Sequence, residues 1–218
     1  MRVAIAASGE VGAPVARAVQ ALRAAEVVIA ADGGLRHCVA AAVTPDLVVG
    51  DLDSASPGDL EQVIAAGAEV ERHPSEKNET DLELALVAAV DRGAERVVVV
   101  GALGGRLDHE LANLALLAAP RWHDAAMRIE VQDGPVTLWV VHDALELTLE
   151  VGEPVSVLPW TGAASDVTTT GVRWPLTGAT LPAGTPRGMS NVVTGDVQSF
   201  AVGDGCLLVI HDPREHED

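Results

Sequence analysis

Aspartate recurs beside glycine, serine or lysine in four separate segments of this chain. They are Ala31-Asp32-Gly33-Gly34, Gly50-Asp51-Leu52-Asp53-Ser54, the run from Ser75 through Lys77, Thr80 and Asp81 to Glu83, and Gly104-Gly105-Arg106-Leu107-Asp108-His109. Carboxylates are hard oxygen donors, and one or two of them complete a Mg²⁺ site together with phosphate oxygens and water. Asp51 and Asp53 flank Leu52, so in extended backbone both carboxylates face the same way. The same residues also suit an ordinary turn. Thr80-x-x-Glu83 fits a capping box, with Asp81 at the first helical position, where it also favours the helix dipole. That capping role leaves lone pairs of Asp81 free for a metal. Glycines at 104 and 105 let backbone N–H groups approach a phosphate at a helix start, and Arg106 adds a planar donor fork. Asp108 is either part of that site or the helix N-cap. Gly33-Gly34 likewise serve the site or only a tight strand-to-helix turn. Neither loop is a Walker A or a GxGxxG fingerprint. Taken together, carboxylates about 5 Å apart repel by roughly 3 kcal/mol per pair at an effective dielectric of about 20. Such a group calls for a compensating cation, with Lys77 and Arg106 as the few basic residues a polyphosphate would meet.

The elements that must position these residues alternate. Residues 3–8, 27–32, 47–50, 69–73 and 96–103 have the short, mostly apolar pattern of strands. Residues 13–24, 35–42, 57–66, 80–92 and 108–119 have that of helices. Such alternation predicts βαβ units and a mostly parallel sheet, whose ligands bind beyond the carboxyl ends of the strands. All four aspartate segments sit at such strand exits. Residues 127–131 supply a further strand. Beyond them Thr, Val, Gly and Pro dominate, and runs at 136–142, 145–151, 154–158 and 197–202 predict a small all-β sandwich. The fold expected is α/β. An N-terminal Rossmann-like, mostly parallel sheet with helices on both faces fills residues 1–135, and a C-terminal all-β sandwich fills 136–212. The charged tail 211–218 is expected to fray.

Composition narrows the partners. With 32 acidic against 14 basic residues the formal charge is −18, a field that repels nucleic-acid backbones and anionic membranes. No run approaches the ~20 apolar residues of a membrane span. Cys38 and Cys206 are too few and too far apart for a disulfide framework, so a reducing cytoplasm is expected. Cys38 is expected to be buried in its helix, and His37 and His109 to be helix-start residues.

The four segments, with Pro45-Asp46-Leu47-Val48-Val49 leading into Gly50 and Asp51, resemble the thiamine pyrophosphokinase family in their order along the chain. Gly171-Val172-Arg173-Trp174-Pro175-Leu176 and Gly188-Met189-Ser190-Asn191 are similar to that family's acceptor-side motifs. The resemblance implies an α/β ATP-binding catalytic domain, a β-sandwich that binds thiamine and dimerises, and a homodimer with active sites at the subunit interface. It implies Mg²⁺ held by Asp51, Asp53 and Asp81. Asp32, Gly33, Gly34, Lys77, Thr80, Gly104, Gly105, Arg106 and Asp108 would surround ATP or orient the attacking hydroxyl, with Asp108 or Asp32 as proton acceptor. Trp174, Ser190 and Asn191 would contact thiamine, Trp174 by stacking on a ring; its other reading is a sandwich-core residue. Many bacterial relatives carry aspartate where this chain has Asn78, which leaves the number of metals open. The activity implied is Mg-dependent transfer of a diphosphoryl group from ATP to the thiamine hydroxyl. The alternatives are a diphosphokinase for a hydroxymethylpterin and a non-catalytic nucleotide- or thiamine-binding module.

Overall fold

The computed structural model describes residues 1–216. The chain divides into two compact units. One holds residues 1–116 and 124–134; the other holds residues 117–123 and the chain from Pro135 onward.

In the first unit six strands pair in parallel: β1 (Arg2–Ala6), β2 (Val27–Ala31), β3 (Leu47–Gly50), β4 (Glu69–Arg72), β5 (Arg96–Val100) and β6 (Arg128–Asp133). Their order is β4-β3-β2-β1-β5-β6. The chain therefore grows outward from β1 to β4, then returns to place β5 on the other side of β1. The four central strands are apolar almost throughout because both faces are covered. Ala4, Ala6, Val28, Ala30, Val48, Val98 and Val100 form one face. They share a core with α1 (Ala16–Ala24), α2 (Leu35–Ala40) and α3 (Pro57–Ala65). Residues of the other register, such as Ile5, Ile29, Leu47 and Val99, are equally buried, and α4 (Asp81–Asp91) packs on β1, β2 and β3 without entering that cluster. The result is a mixed α/β architecture with helices against a sheet. Strand β4 breaks the apolar pattern: Glu69, Glu71 and Arg72 are exposed on it, and a charged edge strand resists further pairing.

The helices start where local chemistry allows. The Thr80 hydroxyl accepts from the Glu83 N–H at 3.2 Å, so Thr80 caps α4 and leaves Asp81 in its first turn. Helix α5 (Leu107–Leu117) begins one residue before Asp108, so Asp108 is not an N-cap. Its end is closed by Glu110, whose carboxylate accepts from the Gly105 N–H at 2.8 Å.

The second unit holds all but the last residue of the short helix α6 (Pro120–Asp124), which the sequence pattern did not disclose, and antiparallel strands β7 (Val136–Val141), β8 (Ala144–Leu147), β9 (Pro154–Thr170), β10 (Ala179–Leu181), β11 (Asn191–Val192), β12 (Gln198–Ala201) and β13 (Asp204–His211). Strand β9 joins two ladders. Its first half pairs with β13 and β11, its second half with β12 and β10, and β13 and β12 pair onward with β7 and β8. Thr161 and Asp166 on β9 have φ of 63° and 53°, and the buried positions change phase across them, from Val155 and Val157 to Ala164 and Val167. Phe200, Leu181, Leu207 and Val209 fill the shared core. The tail is ordered further than its charge suggested: His211 ends β13 and Pro213–His216 forms a 3₁₀ turn, while Glu217 and Asp218 lie outside the described residues.

Glycine 34 marks the tightest approach at the sheet end, since a Cβ there would lie 2.0 Å from the Ala6 carbonyl oxygen. Urea unfolding should rank two variants accordingly. Thr80→Ala is expected to lose about 1 kcal/mol with its cap, and Gly34→Ala more than that, because backbone cannot yield as a side chain can.

Candidate active site

The exits of β2 and β3 bring three carboxylates together. Asp32, Asp51 and Asp53 each present an oxygen, and those oxygens all lie within 4.8 Å of one another. Asp32 is buried, sits at a positive φ of 45° directly after β2, and accepts from the Ser54 N–H at 3.3 Å. The backbone between Asp51 and Asp53 is not extended as the alternation argument assumed. Leu52 takes a left-handed φ of 62° and drives its side chain into the core of the first unit. That anchor folds the loop back, so that the Asp53 N–H donates to Asp51 Oδ1 at 3.3 Å and both carboxylates reach the same space. The Ser75 hydroxyl donating to Asp51, helped by the Asp53 amide and the Lys77 charge, holds the Asp51 carboxyl below the usual range.

Asp81 is placed differently. The metal set implied by resemblance was Asp51, Asp53 and Asp81; the group close enough to share one ion is Asp32, Asp51 and Asp53. Asp81 lies against Gly50, where an added Cβ would stand 2.9 Å from Asp81 Oδ1 and 3.1 Å from Asp32 Cβ. Its Oδ1 is shielded from solvent and faces the Lys77 ammonium at 2.9 Å, a contact carried by charge more than by hydrogen-bond alignment. Burial pulls the Lys77 pKa down, but the Asp81 carboxylate outweighs it and, with Asp51 and Asp32 adding their charge, the net direction is up. Lys77 is therefore a largely covered cation among carboxylates. Asn78, its neighbour, is exposed.

The exits of β1 and β5 meet at the reversal point of the strand order. The Gly9 N–H donates to the Gly101 carbonyl at 2.8 Å and the Glu10 N–H to Gly104 at 2.9 Å. Gly104 has a φ of +77°, and a Cβ there would lie 2.2 Å from the Glu10 carbonyl oxygen, so the glycine serves this close approach. The Gly105 amide is donated to Glu110, so it meets a phosphate only when Glu110 turns aside. Two residues of α2 secure the β1 loop. Arg36 Nη2 donates to the Ser8 and Gly9 carbonyls at 2.6 and 3.0 Å, and His37 Nε2 donates to Gly9 at 2.8 Å. Burial keeps His37 below its ordinary pKa despite that bond. Arg106 and Asp108 form an exposed bidentate pair at 3.1 and 2.6 Å, in which Arg106 holds the Asp108 carboxyl below the usual range.

In the second unit Trp174, Pro175, Leu176, Pro186, Arg187, Gly188, Met189 and Asn191 line a cleft of about 340 Å³. Trp174 is 58% exposed, so it is not a core residue. Its neighbour Arg173 lies over the ring at 5.6 Å. Asn191 is buried and uses its amide on backbone: Oδ1 accepts from Trp174 N at 3.0 Å and Val192 N at 2.9 Å, and Nδ2 donates to Trp174 O at 2.8 Å. Ser190 has a φ of 51° and its N–H donates to Ser156 Oγ at 2.9 Å.

Comparison with known families decides between the possibilities. A family profile described as "Thiamin pyrophosphokinase, catalytic domain" matches residues 18–131, and one described as "Thiamin pyrophosphokinase, vitamin B1 binding domain" matches residues 144–207. The first alone spans more than half of the 218 residues. The chain belongs to the thiamin pyrophosphokinase family. It is 25% identical over 185 residues to the thiamine pyrophosphokinase of Bacillus subtilis (strain 168), covering 84% of this chain and 85% of that one. It is 29% identical over 158 residues to thiamine pyrophosphokinase 1 of Oryza sativa subsp. japonica, covering 68% of this chain and 59% of the rice protein. The chain thus spans about three fifths of that plant relative's length. The crystal structure of thiamin pyrophosphokinase from Geobacillus thermodenitrificans superposes with a TM-score of 0.79, at 27% identity over 97% of each chain.

Within this thiamin pyrophosphokinase fold three residues had escaped the sequence reading: Ser8 and Gly9 after β1, and Arg36 on α2. Ser8-Gly9 follows β1 as the aspartate segments follow the other strands, and that position was the available signal. Unfolding measurements should separate the two cleft residues. Asn191→Ala leaves buried backbone groups unpaired and is expected to lose about 2 kcal/mol. Trp174→Ala removes a mostly exposed ring and is expected to lose under about 1 kcal/mol.

Proposed function

We propose that this chain catalyses Mg-dependent transfer of a diphosphoryl group from ATP to the hydroxyl of thiamine, giving thiamine diphosphate and AMP. The observation that carries the proposal is the convergence of Asp32, Asp51 and Asp53 on one point, with Lys77 beside them. Three carboxylate oxygens within 4.8 Å of one another suit a hard divalent cation such as Mg²⁺. A bound ion would supply positive charge that neutralises phosphate oxygens.

The chain's own residues do the rest. Asp51 and Asp53, with Asp32 and Asp81 beside them, hold the ion. Lys77, Thr80 and Arg106 meet the triphosphate, with Gly33, Gly34, Gly104 and Gly105 shaping the loops around it. Asp108 aims the Arg106 fork. The thiamine hydroxyl proton passes to a carboxylate of the site, Asp108 or Asp32. The thiamine oxygen forms its bond to the β-phosphorus as the bond from that phosphorus to the α-phosphate bridging oxygen breaks, and AMP departs. Such a transfer depends on positioning and charge neutralisation.

The exposed Trp174 face suits the cationic heterocycle of thiamine. Asn191 acts through Trp174 by fixing its backbone, and Ser190 lies beside it. This cleft and the vitamin B1 binding profile over residues 144–207 favour thiamine over a pterin acceptor. The division of labour follows: residues 1–135 as the ATP-binding domain and 136–212 as a thiamine-binding sandwich, supported by the two ladders that share β9. The reading also includes a homodimer and a cytoplasmic setting, the latter supported by two buried free thiols; burial pushes the Cys38 thiol up to about 12.

Chromatography of the nucleotide product tests the reaction: AMP is expected, and ADP would contradict diphosphoryl transfer. Asp51→Asn and Asp53→Asn are each expected to abolish turnover. Trp174→Ala should raise KM for thiamine about tenfold and leave KM for ATP unchanged.

A further inference from the structure

The Lys77 ammonium is placed where a simple phosphate ligand need not be. Its side chain is 11% exposed and its Nζ is 2.9 Å from Asp81 Oδ1; burial disfavours its charge, while Asp81, then Asp51 and Asp32, favour it. Asp51 and Asp32 are two of the three residues able to share an ion, and Gly50 brings Asp81 against the Asp32 side chain. Lys77 thus draws its stabilisation from the same carboxylates that a divalent cation would use. Two cations in one acidic pocket repel each other, and at short range in a partly desolvated site that repulsion is strong.

We propose that Lys77 is a resident counter-cation that competes with Mg²⁺ for this pocket, so that the ion binds tightly only when a polyphosphate is present to accept Lys77. In that exchange the Lys77 ammonium leaves Asp81 for a phosphate oxygen, and Asp81 becomes free to join Asp32, Asp51 and Asp53. Lys77 thereby couples the two ligands: nucleotide strengthens ion binding and the ion strengthens nucleotide binding by the same factor. The ammonium offsets one of the pocket's four negative charges and discourages the ion from loading alone. The inference rests on the assignment of Asp32, Asp51 and Asp53 as the ion's ligands.

Calorimetric titration of the whole protein with MgCl₂ alone, without nucleotide, tests it. Lys77→Gln is expected to bind Mg²⁺ roughly tenfold more tightly than wild type, and Lys77→Arg, which keeps the charge, to stay near wild type. A lysine that only grips phosphate would leave binding of Mg²⁺ alone unchanged, so equal or weaker binding by Lys77→Gln overturns the proposal. Loss of Mg²⁺ binding in Asp51→Asn checks the ligand assignment separately: with that loss seen, an unchanged Lys77→Gln overturns the exchange alone. Absence of binding in every variant overturns both. A crystal of wild-type protein grown with magnesium and no nucleotide needs no variant. Lys77 Nζ drawn away from Asp81 supports the exchange, and the 2.9 Å contact retained beside a bound ion contradicts it.

Discussion

Like charges held close together set the terms for this sheet edge. Asp32, Asp51 and Asp53 crowd within 4.8 Å and Asp81 stands next to Asp32 across Gly50. These like charges repel one another unless a cation intervenes, and solvent screens the exposed Asp53 most. The fold accepts that cost because the surrounding backbone leaves these side chains little choice. Leu52 is anchored in the core, Asp32 is fixed directly after β2, and Asp81 starts a helix capped by Thr80. Lys77 relieves the repulsion from within, while Ser75 and Ser54 stabilise the carboxylates as anions.

The same edge shows how glycine and arginine prepare a site without touching its chemistry. Gly34 and Gly104 admit neighbouring carbonyls where a Cβ would collide, at 2.0 and 2.2 Å, and so draw the β1 loop against the exits of β2 and β5. Arg36 then ties the Ser8 and Gly9 carbonyls to α2. In the second unit Asn191 does a similar task for Trp174, presenting an exposed aromatic face from a rigid backbone.

Much of this was legible in the residues themselves. The Val- and Ala-rich runs of the first unit announced buried parallel strands, and Thr80-x-x-Glu83 announced its cap. Aspartate at successive strand exits announced an acidic cluster, because strand direction alone collects those exits at one edge. What escaped depended on long-range contact. Nothing local shows that Leu52 turns into the core, or that Lys77 pairs with Asp81. Asp108 looked equally suited to capping and catalysis until its pairing with Arg106 and the capping by Glu110 were seen. The second unit was harder. Residues 161–170 are rich in Thr, Ser, Gly and Asp, so the sequence showed only the first five residues of β9, a strand of 17. Strand β13, apolar and central to its ladder, was not among the predicted runs; Gly203 before it and Gly205 within it interrupt the apolar pattern at its start.

The central claim is that one divalent ion sits among Asp32, Asp51 and Asp53. Anomalous diffraction from crystals soaked in MnCl₂ with a non-hydrolysable ATP analogue measures this directly. The account predicts a manganese peak about 2.1 Å from carboxylate oxygens of these residues, bridged to the polyphosphate. A peak held by other side chains, or nucleotide bound with no metal between it and these aspartates, would contradict it.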